Sequence, residues 1–259
     1  MNTVVSRAQS QERRHHYQLP NGTNTWISSY IGFNSVERRT LGMPAHDPVD
    51  FPPPLEPIAF LVEQEANSRL PGHYHQADQF QVFIAGTGFF GTKPITGLTV
   101  HYAMAFTPYA PIQATHTPIE YYTLRNGWDP GARWMPEHKA GLMDRKHPYR
   151  HGVCVLPQLL QNSVDAKLDN VKEECVVPFA EDGLGATLYQ TNRPASICGP
   201  APSTGRGQYW LVLQGQCTIN GDTATTQSLI FIAPNEPAPS ITAHAQGVAI
   251  LMMQFPKRD

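Results

Sequence analysis

The sequence is poor in charge. Lysine, arginine, aspartate and glutamate together make up 15% of its 259 residues, against about a quarter in an ordinary soluble domain. The formal net charge is −2, and no long basic run occurs. That excludes the electrostatic footprint of a nucleic-acid or anionic-membrane binder. The one basic cluster, Arg13-Arg14-His15-His16, lies in a polar N-terminal stretch. No apolar run is long enough to span a bilayer. The first residues, MNTVVSRAQSQERRHH, lack the apolar centre of a secretory signal, so a cytoplasmic location is the expectation. Cysteine is also scarce. Cys154, Cys175, Cys198 and Cys217 are widely spaced with no Cys-x-x-Cys pair, which argues against a zinc–cysteine site and for reduced thiols. No Ser-His-Asp order, phosphate loop or nucleotide fingerprint is present, and GTGFFG at 86–91 is not followed by a helical pattern.

What is abundant points to β structure. The 24 prolines and 20 glycines are spread between short apolar runs, as in an all-β protein. Residues 1–25 read as an N-terminal arm, weakly ordered over the first 20 or so residues or ordered only by packing on a partner subunit, with a turn at Pro20-Asn21-Gly22. The pattern predicts strands over 58–65, 79–84, 98–105 and 119–124, then over 153–156, 175–179, 186–191, 208–213, 229–233 and 247–255. Asn220-Gly221 is a hairpin signal. Residues 126–152 break the pattern and read as a connection, with a short helix over 137–145.

The chain also repeats itself. Gln79-Phe80-Gln81-Val82-Phe83-Ile84-Ala85-Gly86 resembles Gln208-Tyr209-Trp210-Leu211-Val212-Leu213-Gln214-Gly215, 129 residues later. AMAFTPYAP (103–111) likewise resembles SLIFIAPNEP (228–237). Two matches in the same order, with similar spacing, indicate an internal duplication: a first domain over 26–125 and a second over 153–259.

The first copy carries two histidines one residue apart. Alternation on a strand points His73 and His75 to one face, about 7 Å apart along the chain. Two imidazoles so placed can converge on one ion. A turn at Gln76-Ala77-Asp78 would return Gln79 beside them as an amide ligand. Gln81 and Phe83 share the inward face of Gln79. Tyr102, Phe106, Tyr109 and Tyr122 add aromatic surface nearby, and an apolar pocket with a few polar groups is the usual form of a small-molecule site.

The spacing His-x-His-x3-Gln-x6-Gly over His73, His75, Gln79 and Gly86 resembles the first signature of the cupin superfamily. PYAPIQ at 108–113 resembles the second, with Ala110 at the glycine and Gln113 at the histidine. The resemblance implies tandem double-stranded β-helix (jelly-roll) barrels, a bicupin. It also implies a divalent ion (iron, zinc, nickel or manganese) held by His73, His75 and Gln79, with Gln113 at the fourth position. Two departures stand out: glutamine replaces the usual glutamate at 79, and the usual histidine at 113. His101 and His116 are possible substitutes, although strand parity turns His116 outward if Gln113 faces in. In the second copy the histidine positions fall on Pro202 and Thr204 and only Gln208 remains, so that barrel reads as structural. The expected function is a metal-dependent enzyme of dioxygenase, isomerase, lyase or decarboxylase type on a small organic substrate. The alternative is a non-catalytic binding or structural bicupin. A homodimer is expected, because apolar edge strands need covering.

Overall fold

The computed structural model describes residues 4–44, 52–142, 149–156 and 170–258. The chain divides into two compact units, one of residues 13–158 and one of residues 1–12 with 159–259.

The N-terminal barrel, residues 13–158, contains β1 (Arg14–Gln18), β2 (Asn24–Ile31), β3 (Leu55–Gln64), β4 (Arg69–Leu70), β5 (His73–Tyr74), β6 (Gln79–Ala85), β7 (Thr87–Phe90), β8 (Lys93–Thr96), β9 (Leu98–Ala103), β10 (Ile112–Ala114), β11 (Ile119–Gly127), β12 (Arg133–Trp134) and β13 (His151–Leu156). They form a seven-stranded sheet ordered β1-β2-β3-β11-β6-β9-β13, a four-stranded sheet ordered β4-β10-β7-β8, and the pair β12-β5. All pairings are antiparallel. A short helix, α2 (Ser35–Thr40), is closed by a capping box between Asn34 and Glu37. The core between the sheets includes Ile27, Ile58, Phe83, Phe90, Ile112 and Tyr121. Each fully buried aromatic or aliphatic side chain of this kind contributes about 1.5–3 kcal/mol.

The C-terminal barrel pairs β14 (Lys172–Val177), β15 (Gly185–Thr191), β20 (Ile241–Gln254), β17 (Gln208–Ile219) and β18 (Asp222–Thr225) in that order, with β16 (Ser196–Ile197) on β20 and β19 (Leu229–Ile232) on β17. Its core includes Trp210, Val212, Ile230, Ile250 and Met252. Asn220 and Gly221 both have positive φ, 52° and 93°, as the hairpin between β17 and β18 requires.

The registers expose the duplication. Gln79 on β6 lies opposite Arg125 on β11 and Ala103 on β9. Gln208 on β17 lies opposite Gln254 on β20 and Ile232 on β19. Gly86 and Gly215 end the equivalent apolar runs at φ 82° and 83°. A Cβ on Gly86 would collide with the Pro118 carbonyl oxygen, and one on Gly215 with that of Gly247. The glycine therefore recurs because the backbone turns left-handed there, against a neighbouring strand's backbone that leaves no room for a Cβ.

Three sequence expectations change. The N-terminal arm is structured: α1 (Arg7–Gln11) carries a capping box from Ser6 to Gln9, and β1 and β2 join the N-terminal barrel's sheet. Residue 5 bridges Leu229, so residues 1–12 belong with the C-terminal barrel. The strand expected to open the second barrel, β13, instead pairs with β9 of the first. Of the helix expected over 137–145, a 3₁₀ turn at Lys139–Leu142 forms, and 143–148 lie outside the described residues.

Candidate functional site

His73 and His75 both turn into the N-terminal barrel, 4% and 8% exposed, with ring centroids 5.1 Å apart. Tyr74 between them faces a separate cluster with Ala105, Phe106 and Leu142. The alternation expected of a strand therefore holds, although β5 is only two residues long. The segment is pinned from behind by the 106–109 loop. The Phe106 amide donates to the His75 carbonyl at 2.7 Å and the Tyr109 amide to the His73 carbonyl at 3.0 Å. The turn at 76–78 is closed by Asp78, whose Oδ1 accepts from the Ala105 amide at 2.8 Å. It returns Gln79 to the pair, as expected.

Three residues complete the cluster that the sequence did not single out as site residues. Tyr109 packs on His73 with ring centroids 4.6 Å apart. Arg125 and Asp129 approach from β11 and the turn that follows it. The hydrogen bonds run in one direction. The Pro71 carbonyl can only accept, so the His73 Nδ1 at 2.8 Å carries the proton. In the neutral ring Nε2 is then an acceptor, and the Tyr109 hydroxyl donates to it at 2.8 Å. Tyr109 in turn accepts from Gln79 Nε2 at 2.8 Å. Gln79 Oε1 accepts from Arg125 Nε and Nη2, both at 3.2 Å. On the other side, His75 Nδ1 donates to Asp129 Oδ2 at 2.8 Å, and Arg125 Nη2 lies over the ring, 3.1 Å from Nδ1 and 3.2 Å from Nε2. Arg125 Nη1 lies 3.1 Å from Asp129 Oδ2. Asp129 also accepts from the Gln76 and Gly131 amides at 2.8 and 3.0 Å.

The electrostatics follow from burial. Burial, then the neighbouring His75, hold the His73 imidazole down at about 3. Burial, then Arg125, also lower His75. Burial raises Tyr109 above its ordinary value. Burial alone would raise Asp129, but Arg125 and the donors around it outweigh that and hold the carboxyl well below the usual range. At neutral pH the cluster is thus two neutral imidazoles, a neutral phenol and one buried ion pair.

Gln113 is not part of it. β10 alternates, and Ile112 and Ala114 take the inward face, leaving Gln113 exposed beside Arg69 and Phe89 on the neighbouring strands. The place expected for a fourth ligand is filled by Tyr109, four residues earlier. His116 is exposed. His101 is fully buried on β9, where its Nδ1 bonds Gln81 Oε1 at 2.9 Å. Its ring stands 5.1 Å from that of Tyr109.

As arranged, these donors do not fit a divalent ion. Gln79 Oε1 and the His75 ring face the Arg125 guanidinium, and the His73 Nε2 lone pair accepts a hydrogen bond from the Tyr109 hydroxyl. Among the described residues no three His, Cys, Asp or Glu side chains cluster to hold a metal.

A cavity of about 320 Å³ opens on this cluster, with His73, His75, Gln81, Arg125 and Trp134 in its wall. The volume is at the small end of small-molecule sites.

Comparison with solved structures identifies the architecture. A putative dioxygenase from Nostoc punctiforme superimposes with a TM-score of 0.62 at 10% identity, covering 98% of this chain and 82% of that one. The Escherichia coli pirin YhhW in complex with nickel(II) gives 0.56 at 15% identity, covering 99% and 100%. A formate complex of oxalate decarboxylase from Lactobacillus farciminis gives 0.57 at 12% identity, covering 100% and 88%. The chain shares the all-β, double-stranded β-helix fold of these proteins. No protein-family model and no curated protein matches the sequence.

The C-terminal barrel arranges the equivalent positions differently. Thr204, at the position of His75, lies in a 3₁₀ turn over Pro202–Thr204. Gln254, at the position of Arg125, donates to the Thr204 hydroxyl at 3.0 Å and to the Gly183 carbonyl at 2.7 Å. Gln208 donates to Gln254 Oε1 at 2.7 Å and accepts from Trp210 Nε1 at 3.0 Å. The same positions converge, but the polar groups satisfy one another without a charge. Arg125 could have been found from sequence by aligning TLRNG with MMQFP across the repeat, since both lie opposite the shared glutamine. Asp129 carried no such signal.

Proposed function

We propose that the N-terminal barrel binds a small organic molecule in the 320 Å³ cavity, and that the preformed cluster around Arg125, rather than a resident ion, supplies the polar recognition. The observation that carries this reading is the position of Arg125. Its guanidinium already stands among His75, Gln79 and Asp129, where a metal's charge would otherwise be. Burial lowers His73 to about 3 and raises Tyr109, which takes both further from the near-neutral range that suits a general acid or base. That favours binding over acid–base turnover. The C-terminal barrel serves as a structural partner.

A second reading is a metal-dependent reaction on a small substrate, of dioxygenase, isomerase, lyase or decarboxylase type, with iron, zinc, nickel or manganese on His73, His75 and Gln79. The two imidazoles lining one cavity favour it. It requires Arg125 to leave Gln79 and His75, and Tyr109 to leave His73. Metal analysis decides between them. Purified protein is incubated with Ni²⁺, Mn²⁺, Fe²⁺ or Zn²⁺, dialysed, and compared with His73→Ala. Metal far below one ion per chain, unchanged in the variant, supports the first reading. One ion per chain that disappears with His73 overturns it in favour of the second.

A further inference from the structure

Four neighbouring strands lay a row of inward side chains across the wall of the cavity. Thr123 on β11 pairs with Phe60 on β3 and with Gln81 on β6, and Gln81 pairs with His101 on β9. Phe60, Thr123 and Gln81 all line the cavity, and all three are buried. His101 fixes how the Gln81 amide stands. Gln81 Oε1 can only accept, so the His101 Nδ1 at 2.9 Å donates to it. That leaves Gln81 Nε2, with two N–H groups to give. The Thr123 hydroxyl is its neighbour on the next strand, and side chains directly opposite in an antiparallel pair stand about 5 Å apart at Cβ. Among the described residues, neither Gln81 Nε2 nor the Thr123 hydroxyl has a hydrogen-bond partner. The two can therefore converge on one acceptor atom.

The charges of the same wall are committed. Arg125 pairs with Asp129 and donates to Gln79. Arg133 is engaged within the protein, and Arg39 is exposed, where solvent and salt screen it. His73 and His75 are taken up by the Pro71 carbonyl, Tyr109 and Asp129. A ligand that carried its own charge to this row would lose water without meeting an uncommitted counter-charge. A ligand with one acceptor oxygen and a hydrocarbon body meets both parts of the surface, since Phe60, Val62 and Trp134 stand in the wall as well.

We infer that the ligand of this cavity is an uncharged aromatic carbonyl compound, its oxygen held by the Gln81 amide and the Thr123 hydroxyl and its ring packed against Phe60, Val62 and Trp134. A carbonyl oxygen has two lone pairs, one for each donor, and aromatic side chains in the wall favour a flat body. The inference rests on the binding reading given above and narrows it to a chemical class.

Titration calorimetry on the full chain tests it with three probes of similar shape: acetophenone, benzoate and ethylbenzene. Acetophenone is expected to bind with an affinity of about 1 mM or better. It should bind at least about fivefold more tightly than ethylbenzene, which lacks the acceptor, as the net gain from a hydrogen bond implies. It should exceed benzoate, which brings a charge, by at least as much. Thr123→Val removes the hydroxyl at nearly constant shape and should weaken acetophenone about fivefold while leaving ethylbenzene unchanged. Thr123→Ser, which keeps the hydroxyl, should retain the preference. Gln81→Glu keeps an oxygen for His101 but has no N–H to give, and should also remove the preference. Circular dichroism verifies that each variant is folded; if Gln81→Glu does not fold, the two Thr123 variants decide. The inference is overturned if benzoate or ethylbenzene binds as tightly as acetophenone, if the preference survives Thr123→Val, or if no probe binds at millimolar concentration. Equal binding of acetophenone and benzoate would leave the cavity's role as a binding site intact. A stoichiometric ion lost in His73→Ala would overturn the metal-free form of that role and not the preference for a neutral carbonyl.

Discussion

Replacing Arg125 by glutamine would convert the N-terminal barrel to the arrangement already present in the C-terminal one, where Gln254 occupies the equivalent place. The outcome should nevertheless be unfavourable, because the surroundings differ. In the C-terminal barrel Gln254 meets the neutral Gln208 and Thr204. In the N-terminal barrel the loss of Arg125 strands Asp129, a carboxylate with no exposed surface. Breaking a buried pair by removing one member costs about 3–5 kcal/mol, because the surviving charge is uncompensated. His75 and two backbone amides still hold Asp129, so Arg125→Gln should lie at the lower end, near 3 kcal/mol. The companion change Asp129→Asn removes the stranded charge. The double variant should therefore be more stable than Arg125→Gln alone, the opposite of additivity. Urea unfolding followed by tryptophan fluorescence measures all three, with each unit's transition fitted separately. pH gives an independent check. In the wild type the Asp129 pKa is lowered, so its contribution is present above the unfolded aspartate value of about 3.9 and is lost as pH falls below it. Arg125→Gln removes the main cause of that lowering and should reduce the acid sensitivity. A single variant within about 1 kcal/mol of wild type, or a double variant less stable than either single one, would refute the reasoning.

Three further outcomes follow from the structure. Burial lowers His73, His75 and His101, so the midpoint of each imidazole's proton-resonance titration should lie below the ordinary value of about 6.5. Their contribution to stability is present above the unfolded value of about 6.5 and declines as pH falls below it; a titration midpoint near 6.5 for any of the three would contradict this. Gly86→Ala and Gly215→Ala should each destabilise by more than the usual ~1 kcal/mol of a point change, since a left-handed φ and a blocked Cβ position coincide; differential scanning calorimetry showing an unchanged midpoint would count against the shared glycine geometry. The homodimer proposed from edge-strand considerations is tested by sedimentation velocity at micromolar concentration, where a monomer would reject it.

Much of the fold was legible because its signals are short-range. Gly86 and Gly215 mark the ends of equivalent apolar runs, Asn220-Gly221 marks a hairpin, and the apolar runs of β6, β9, β11 and β15 stand out between turns. β1 and β2 were missed for a physical reason. β1 is an edge strand with alternating exposure, and β2 buries Thr25, Ser28 and Ser29 alongside its hydrophobic residues, so neither presents a continuous apolar run. The histidine pair was legible through alternation alone. The rest of the site was not, because it depends on registers between strands far apart in sequence. Arg125 meets Gln79 only through the pairing of β11 with β6. Gln113 was placed by a motif position, and the inward face of β10 went to Ile112 and Ala114 instead.

The short segment that bridges Leu229 changes how the chain must come together. Residue 5 pairs with a strand more than two hundred positions away, and the whole N-terminal barrel intervenes as an insertion between residue 12 and residue 159. During synthesis that segment leaves the ribosome early but has nothing to pair with until β19 follows at the far end. The inserted barrel can close in the meantime, since all of its sheet partners lie within residues 13–158. The unit that holds the first described residues is therefore the last able to finish folding. Closing it forms a contact of very high sequence separation, the slowest kind to form. Dividing the chain near residue 158 would deprive the C-terminal barrel of its bridge to Leu229 and leave residues 4–12 attached to a barrel that has no use for them.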